Sequence, residues 1–401
     1  MPNFEASERF SMSDPIIIAS YARTPIGSFQ GSLARFKATE LGAAAAKAAV
    51  ERAGLAAEDI NQVIMGCVLP AALGQAPARQ VALGAELPLS VQATTVNKMC
   101  GSGMQAAILA HDAIAVGSAD VVVAGGMESM TNAPYALPKH RGGARIGHDR
   151  IVDTMMMDGL EDAYAPGKAM GAFAEDAARE FHFSRSAQDA YALRSLDRAK
   201  AAISRGAFAD EIVALPAAKA GSVVDIDEQP RKAKPEKIPL LKPAFAPDGT
   251  ITPANASSIS DGAAALVMTR RSIAERLGLP IAATIRAHAA HAHAPALFTT
   301  APVPAIQKVL AKAGWSAADV DLYEINEAFA VVAMITAREL DIPAEKLNVN
   351  GGATALGHPI GASGARIIVT LLAALKARGL KRGVASLCIG GGEATAMAVE
   401  V

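Results

Sequence analysis

Cys100 stands where a β-type run, residues 92–96, gives way to a helical run beginning near Met104, with Gly101, Ser102 and Gly103 between them. A thiol at the start of a helix lies beside unpaired N–H groups and the positive end of the dipole, an environment expected to lower its pKa and make it a nucleophile. A small core residue could occupy the same position, so partners elsewhere must decide. Three further segments carry suitable groups: Asn326-Glu327-Ala328-Phe329-Ala330, Gly357-His358-Pro359-Ile360-Gly361-Ala362-Ser363-Gly364 and Cys388-Ile389-Gly390-Gly391-Gly392. Together they make chemical sense. A thiolate attacks an acyl carbon, a neutral imidazole removes the thiol proton, a second thiol moves a proton on another substrate, and glycine N–H groups and an amide stabilise oxyanions. Taken singly, each has a simpler structural reading: Asn326 as a helix N-cap, His358 as an ordered loop residue, residues 390–392 as a turn.

The elements that must position these groups read as alternating strands and helices. Strands are expected at residues 15–20, 62–66, 92–96 and 120–126, with helices at 38–53, closed by Gly54, at 78–85 and at 104–116. The last of these is apolar at many positions, which suggests burial on most sides. This alternation predicts an α/β layer with a largely parallel central sheet. Residues 127–255 change texture, with methionines at 155–157, charged helix-like runs over 172–207 and a Lys-, Pro- and Asp-rich stretch at 219–253. So long an excursion is expected to be functional or a small domain of its own. A buried run at 260–268 follows, and residues 281–401 then repeat the opening plan. Gly101-Ser102-Gly103 opens a buried helix leading to a strand that ends in Gly125-Gly126, and Ala362-Ser363-Gly364 opens another leading to one that ends in Gly390-Gly391.

Bulk properties narrow the function classes. The 401 residues suggest two to three domains, and 51% hydrophobic with only 4% aromatic residues implies a large core of small and aliphatic side chains. With 38 basic and 39 acidic residues there is no global field for nucleic acid or an anionic membrane. No apolar run reaches the length of a membrane span, and residues 1–14 lack the apolar core of a signal peptide. Cys67, Cys100 and Cys388 are too few and odd in number for a disulfide framework. A reducing, cytoplasmic location is therefore expected. His288, His291 and His293 sit among alanines without an acidic neighbour, so no metal site is expected. The glycine pairs 125–126 and 351–352 do not have dinucleotide-binding spacing.

The four segments in this order, with residues 16–25 and 74–80, resemble the thiolase family of acetyl-CoA acetyltransferases and 3-ketoacyl-CoA thiolases over nearly the whole length. The resemblance implies a thiolase-like fold of two similar βαβαβαββ halves in α-β-α-β-α layers. The halves would be residues 13–126 with 256–280, and residues 281–401. Residues 127–255 would form an inserted loop domain for coenzyme A binding and oligomer contacts. By motif position, Cys100 would be the acylated nucleophile, His358 its activator and Cys388 the acid–base group for the second substrate. The N–H groups of Cys100 and Gly390 would form one oxyanion hole, and His358 with a water held by Asn326 the other. The implied reaction is the reversible, ping-pong condensation of two acetyl-CoA to acetoacetyl-CoA and CoA, or else the degradative thiolysis of longer 3-ketoacyl-CoA. Coenzyme A would enter as substrate, with no permanently bound cofactor, and its contacts would include Arg231, Ser257, Phe245 and Met170. Without the resemblance, Arg231 and Lys232 read as a solvated basic loop. A homo-oligomer, dimer or tetramer, is also implied.

The chain departs from the family pattern at three places: Ala169 replaces a common histidine, Phe298-Thr299 a common Met-Gly, and Ala394 a common glycine. The first two bear on acyl preference. A cysteine peptidase would have no need of Cys388 or of a second anion hole. A decarboxylating ketoacyl synthase would place histidine or asparagine at Cys388, and a CoA-binding scaffold would form no acyl-enzyme.

Overall fold

The computed structural model describes residues 14–401. The segment before Asp14, including most of the stretch read as lacking a signal sequence, lies outside the described residues. The first half contributes β1 (Ile16–Arg23), β2 (Gly27–Ser28), α1 (Ala38–Ala53), β3 (Gln62–Gly66), α2 (Pro77–Gly84), β4 (Gln92–Val96), α3 (Ser102–Ala115) and β5 (Val121–Ser129). The excursion carries α4 (Met170–Glu180), α5 (Arg185–Ser204) and the four-residue α6 (Gln229–Lys232). After it come β6 (Ser260–Arg270), α7 (Arg271–Leu277), β7 (Ala283–Ala292), α8 (Pro302–Ala313), β8 (Leu322–Ile325), α9 (Ala330–Glu339), α10 (Ala353–Leu356), α11 (Ser363–Arg378), β9 (Arg382–Ile389) and β10 (Glu393–Glu400).

Local chemistry accounts for the framework. Alanine-rich α1 starts where the Glu40 carboxylate accepts the Lys37 N–H at 2.7 Å, and it ends at Gly54, whose φ of 64° is the left-handed cap expected from the sequence. The long strands are apolar and buried on both faces: every residue of β1 and β5 is buried.

One ten-stranded sheet runs in the order β8-β9-β10-β7-β1-β6-β5-β3-β4, with β2 beside β6. It is mixed, contrary to the largely parallel sheet expected. Within it, β3 pairs in parallel with β4 and β5, and β8 with β9; the other ladders are antiparallel. The sequence could not reveal this, because a strand buried on both faces is a continuous apolar run whichever way its neighbour points. The two halves repeat one another outward from β1 and β7. These join antiparallel through Ile17↔Thr284 and Ile18↔Ala283. The second half's outermost strand is reduced to a single parallel bridge, Tyr323↔Leu347.

Helices fill three layers. α1 packs Leu41 and Val50 on Val63 and Met65 at one outer face, and α8 packs Ile306 and Val309 beneath Ala396 and Trp315 at the other. Between them α3 and α11 share a core, with Met104 and Ile108 of one helix and Ile367 and Leu371 of the other lying among Ile18, Val122 and Leu387. Their starts touch backbone to backbone. A Cβ on Gly103 would lie 2.7 Å from the Ala365 nitrogen, and one on Gly364 would lie 2.3 Å from the Met104 nitrogen. The repeated Ser-Gly pair is thus a contact requirement, and it brings both helix N-termini to one centre.

Candidate active site

Five residues, 97–101, turn the chain from β4 into α3. The turn is tied by Asn97 Oδ1, which accepts the Met99 N–H at 2.9 Å, and by Ser102 Oγ, which accepts the Lys98 N–H at 2.8 Å and donates to the Met99 carbonyl at 2.7 Å. Met99 takes a left-handed φ of 47°, a strained conformation for a non-glycine residue that is found where a side chain must be aimed. Cys100 follows it and faces a cleft of about 450 Å³. His358, Cys388 and Gly390 line the same cleft, and so do Ser257, Phe245 and Met170.

The N–H groups of Gly390 and of Cys100 itself both reach the Cys100 sulfur. Burial nevertheless pushes this thiol up, to about 11, with a smaller contribution from Glu128, and the two N–H groups only partly offset it. The lowered pKa expected from the helix start is therefore not found, because desolvation outweighs the two N–H groups. Burial also raises the Cys388 thiol well above its ordinary value, with the neighbouring Cys100 adding to the effect. His358 is driven the other way, to about 3, by burial and then by the Arg366 charge, so its ring is neutral.

The tautomer of His358 follows from its partners. Ser363 Oγ donates to the Pro359 carbonyl at 3.0 Å, so at 2.6 Å it can only accept from His358 Nδ1. Nδ1 therefore carries the proton and Nε2 keeps its lone pair. Asn326 approaches Nε2 through Nδ2 at 3.5 Å, and its orientation is fixed because Arg366 Nη2, a donor only, reaches Asn326 Oδ1 at 3.2 Å. Asn326 is not the N-cap of the following helix: α9 begins four residues later, after Phe329.

Residues 16–272 match the thiolase N-terminal domain family and residues 279–401 the thiolase C-terminal domain family. The chain belongs to the thiolase family. It is 49% identical over 393 residues to the acetyl-CoA acetyltransferase of Thiocystis violacea, covering 97% of this chain and 100% of that protein. To the acetyl-CoA acetyltransferase of Cupriavidus necator it is 49% identical over 389 residues, covering 96% and 99%. The Acat5 thiolase of Ascaris suum, solved in complex with coenzyme A, superposes with a TM-score of 0.91 at 42% identity, over 96% of this chain and 99% of that one.

In this thiolase Arg231 is exposed on α6 and outside the cleft lining, whereas Gln229, two residues earlier, lines the cleft. Ser257 is held by its hydroxyl, which donates to the Ala328 carbonyl at 2.9 Å. Of the departures from the thiolase pattern, Ala169 and Phe298 line the cleft, and Ala394 is buried opposite Cys388 in the β9–β10 ladder. Phe298 lies 6.4 Å from Phe329 and 6.4 Å from Phe173, ring centre to ring centre, closing that wall with aromatic surface.

Three supporting residues were not foreseen. Ser363 mirrors Ser102 in the repeat, and that symmetry was its available signal. Arg366 is a charge inside the apolar helix α11, and its Nη1 donates to Glu324 at 2.9 Å. Glu128 is the penultimate residue of the apolar strand β5, fully buried, and accepts N–H groups from Val68 at 3.0 Å, Leu69 at 3.1 Å and Gly361 at 2.8 Å. A lone charge in an apolar run was the signal for both.

Proposed function

We propose that this thiolase is an acetyl-CoA C-acetyltransferase, and that Cys100, His358, Cys388, Asn326 and Gly390 carry the reaction. The observation that supports the reading best is the cleft itself, which gathers both thiols and a neutral imidazole while two N–H groups point at the Cys100 sulfur. With the thiol pushed up to about 11 and the imidazole down to about 3, the free enzyme holds a neutral pair rather than a preformed thiolate.

Sulfur attack on the acetyl-CoA carbonyl is therefore coupled to proton transfer to His358 Nε2. The N–H groups of Cys100 and Gly390 receive the carbonyl oxygen as it gains charge. The bond to the CoA sulfur then breaks, Cys388 gives its proton to the departing thiolate, and an acetyl group remains on Cys100 while His358 Nε2 keeps the proton taken from the Cys100 thiol. In the second half, the Cys388 thiolate so formed takes a proton from the methyl carbon of another acetyl-CoA, and His358 Nε2 later returns its proton to Cys100. The enolate oxygen is held by His358 and by a water on Asn326, and the carbon attacks the acetyl-enzyme. Acetoacetyl-CoA leaves and Cys100 regains its proton; the sequence runs equally in reverse.

Coenzyme A is substrate in this scheme, with no permanently bound cofactor. Gln229, Phe245, Met170 and Ser257 are the cleft residues available for its pantetheine arm, and Arg231 lies beyond them towards solvent. We assign residues 13–126 with 256–280, and 281–401, to the two catalytic halves, and 127–255 to the loop domain. A homo-oligomer, dimer or tetramer, in the cytoplasm completes the reading. The described helices include none long and apolar enough to cross a membrane, and the three cysteines are free.

Mass spectrometry after mixing with acetyl-CoA tests the mechanism: an acetyl group is expected on Cys100, and its absence would overturn the scheme. Thiolysis rates across 3-ketoacyl-CoA chain lengths test the substrate. Confinement to four carbons is expected, and equal or faster rates on longer chains would make the enzyme degradative.

A further inference from the structure

His288 does not belong with His291 and His293, although the sequence puts them together. On strand β7 side chains alternate faces, so residues 288 and 291 take opposite faces, and residue 293, just past the end of the strand, lies beside 291. The rings of His291 and His293 stack edge to face at 5.0 Å, with His291 beside the Lys308 ammonium. His288 instead meets His111 and Asp112, near the C-terminal end of α3.

The three donor atoms form a small triangle. His288 Nε2 is 3.1 Å from Asp112 Oδ1 and 3.3 Å from His111 Nδ1, and His111 Nδ1 is 3.1 Å from Asp112 Oδ1. In a tetrahedral complex with metal–ligand bonds of ~2.0–2.2 Å, neighbouring ligand atoms are about 3.3–3.5 Å apart. The triangle is thus one face of such a tetrahedron, contracted by a few tenths of an ångström. Both histidine side chains are mostly covered, 23% and 20% exposed, while Asp112 is 54% exposed, so the apex of the triangle is reachable from solvent. The Lys312 ammonium donates to the His288 carbonyl at 3.0 Å, which fixes the strand backbone beneath the ring.

We propose that His111, Asp112 and His288 bind one divalent transition-metal ion of the zinc class. Two imidazoles and one carboxylate suit zinc, cobalt or nickel rather than magnesium or calcium, which favour oxygen donors throughout. A water completes the fourth position. The ion joins α3, from the first half, to β7, from the second, and so fastens the helix that begins beside Cys100 across the junction of the halves.

Cobalt(II) chloride titrated into the full-length enzyme reads the site by spectroscopy. Uptake of one equivalent per chain is expected, with visible ligand-field bands and no thiolate-to-cobalt charge-transfer band, which separates this site from Cys100 and Cys388. His288→Ala and Asp112→Asn should each weaken binding by at least ~10-fold, and His291→Ala should leave it unchanged. Zinc chloride should raise the melting temperature of the wild type and of His291→Ala, but not of the other two variants. Because Asp112 is largely exposed, its asparagine variant should match the metal-free wild type in melting temperature and thiolysis rate. Absence of stoichiometric uptake, a thiolate band, or binding undiminished in both His288→Ala and Asp112→Asn would overturn the proposal.

Discussion

Ser363 determines which nitrogen of His358 can act as a base. With its own proton committed to Pro359, the hydroxyl accepts from Nδ1 and leaves Nε2 unprotonated. Ser363→Ala should lower kcat by roughly 10- to 100-fold, less than loss of the imidazole itself, with little change in KM; steady-state kinetics on acetoacetyl-CoA and CoA checks this. The depressed pKa of His358, about 3, has a kinetic signature. kcat/KM should stay flat between pH 5 and 8, and a limb at the ordinary imidazole value would contradict the neutral buried ring. It also bears on stability. The unfolded chain binds a proton that the folded ring refuses, so the His358 contribution is fully present above about pH 6.5 and is lost as the pH falls towards 3. The grouping of these residues was legible in the sequence: Cys100, His358, Cys388 and Gly390 do share one cleft. The direction of the Cys100 shift was not, because it depends on how much water the rest of the fold removes from the sulfur.

The end of β5 shows how one buried side chain ties elements together. Glu128 takes N–H groups from the 67–69 segment and from Gly361, three residues after His358. Burial raises its carboxyl to about 7, against the lowering effect of the Leu69, Val68 and Gly361 N–H groups. The folded state therefore holds a proton that the unfolded state gives up near 4.5. Its contribution is complete below that value and is lost as pH rises to about 7, opposite in sign to that of His358. Glu128→Gln should remove this slope, while placing an amide NH₂ among N–H donors should cost about 1–3 kcal/mol. Urea titrations of both proteins at pH 5 and pH 8 would show the difference narrowing at the higher pH. Elements were legible where they carry local punctuation, as at Gly54, or where the chain repeats itself, as in α3 and α11. Strand direction was not, nor were the partners of Glu128 and Arg366, since those contacts join residues far apart in the chain.

At the scale of the molecule, the excursion is anchored to the first half through a buried ion cluster. Arg23 is inaccessible to solvent and donates to Asp227 with two nitrogens, at 2.7 and 2.8 Å, and to Glu211 at 2.9 Å. Arg23→Leu would leave two buried carboxylates without their counter-charge, so a loss of about 3–5 kcal/mol is expected, measurable by chemical unfolding. The same topology has a consequence for synthesis on the ribosome. β6 lies between β1 and β5 in the finished sheet, yet it begins at Ser260 whereas β5 ends at Ser129. At about 5–20 residues per second the nascent chain waits roughly 7–26 s for its central strand. Throughout that interval β5 lacks the neighbour that covers one row of its backbone groups, and β1, whose other partner β7 begins at Ala283, lacks both of its neighbours. Crowding of polysomes, and the availability of chaperones that shield open strand edges, should therefore govern the yield of active enzyme more strongly than the stability of the completed fold.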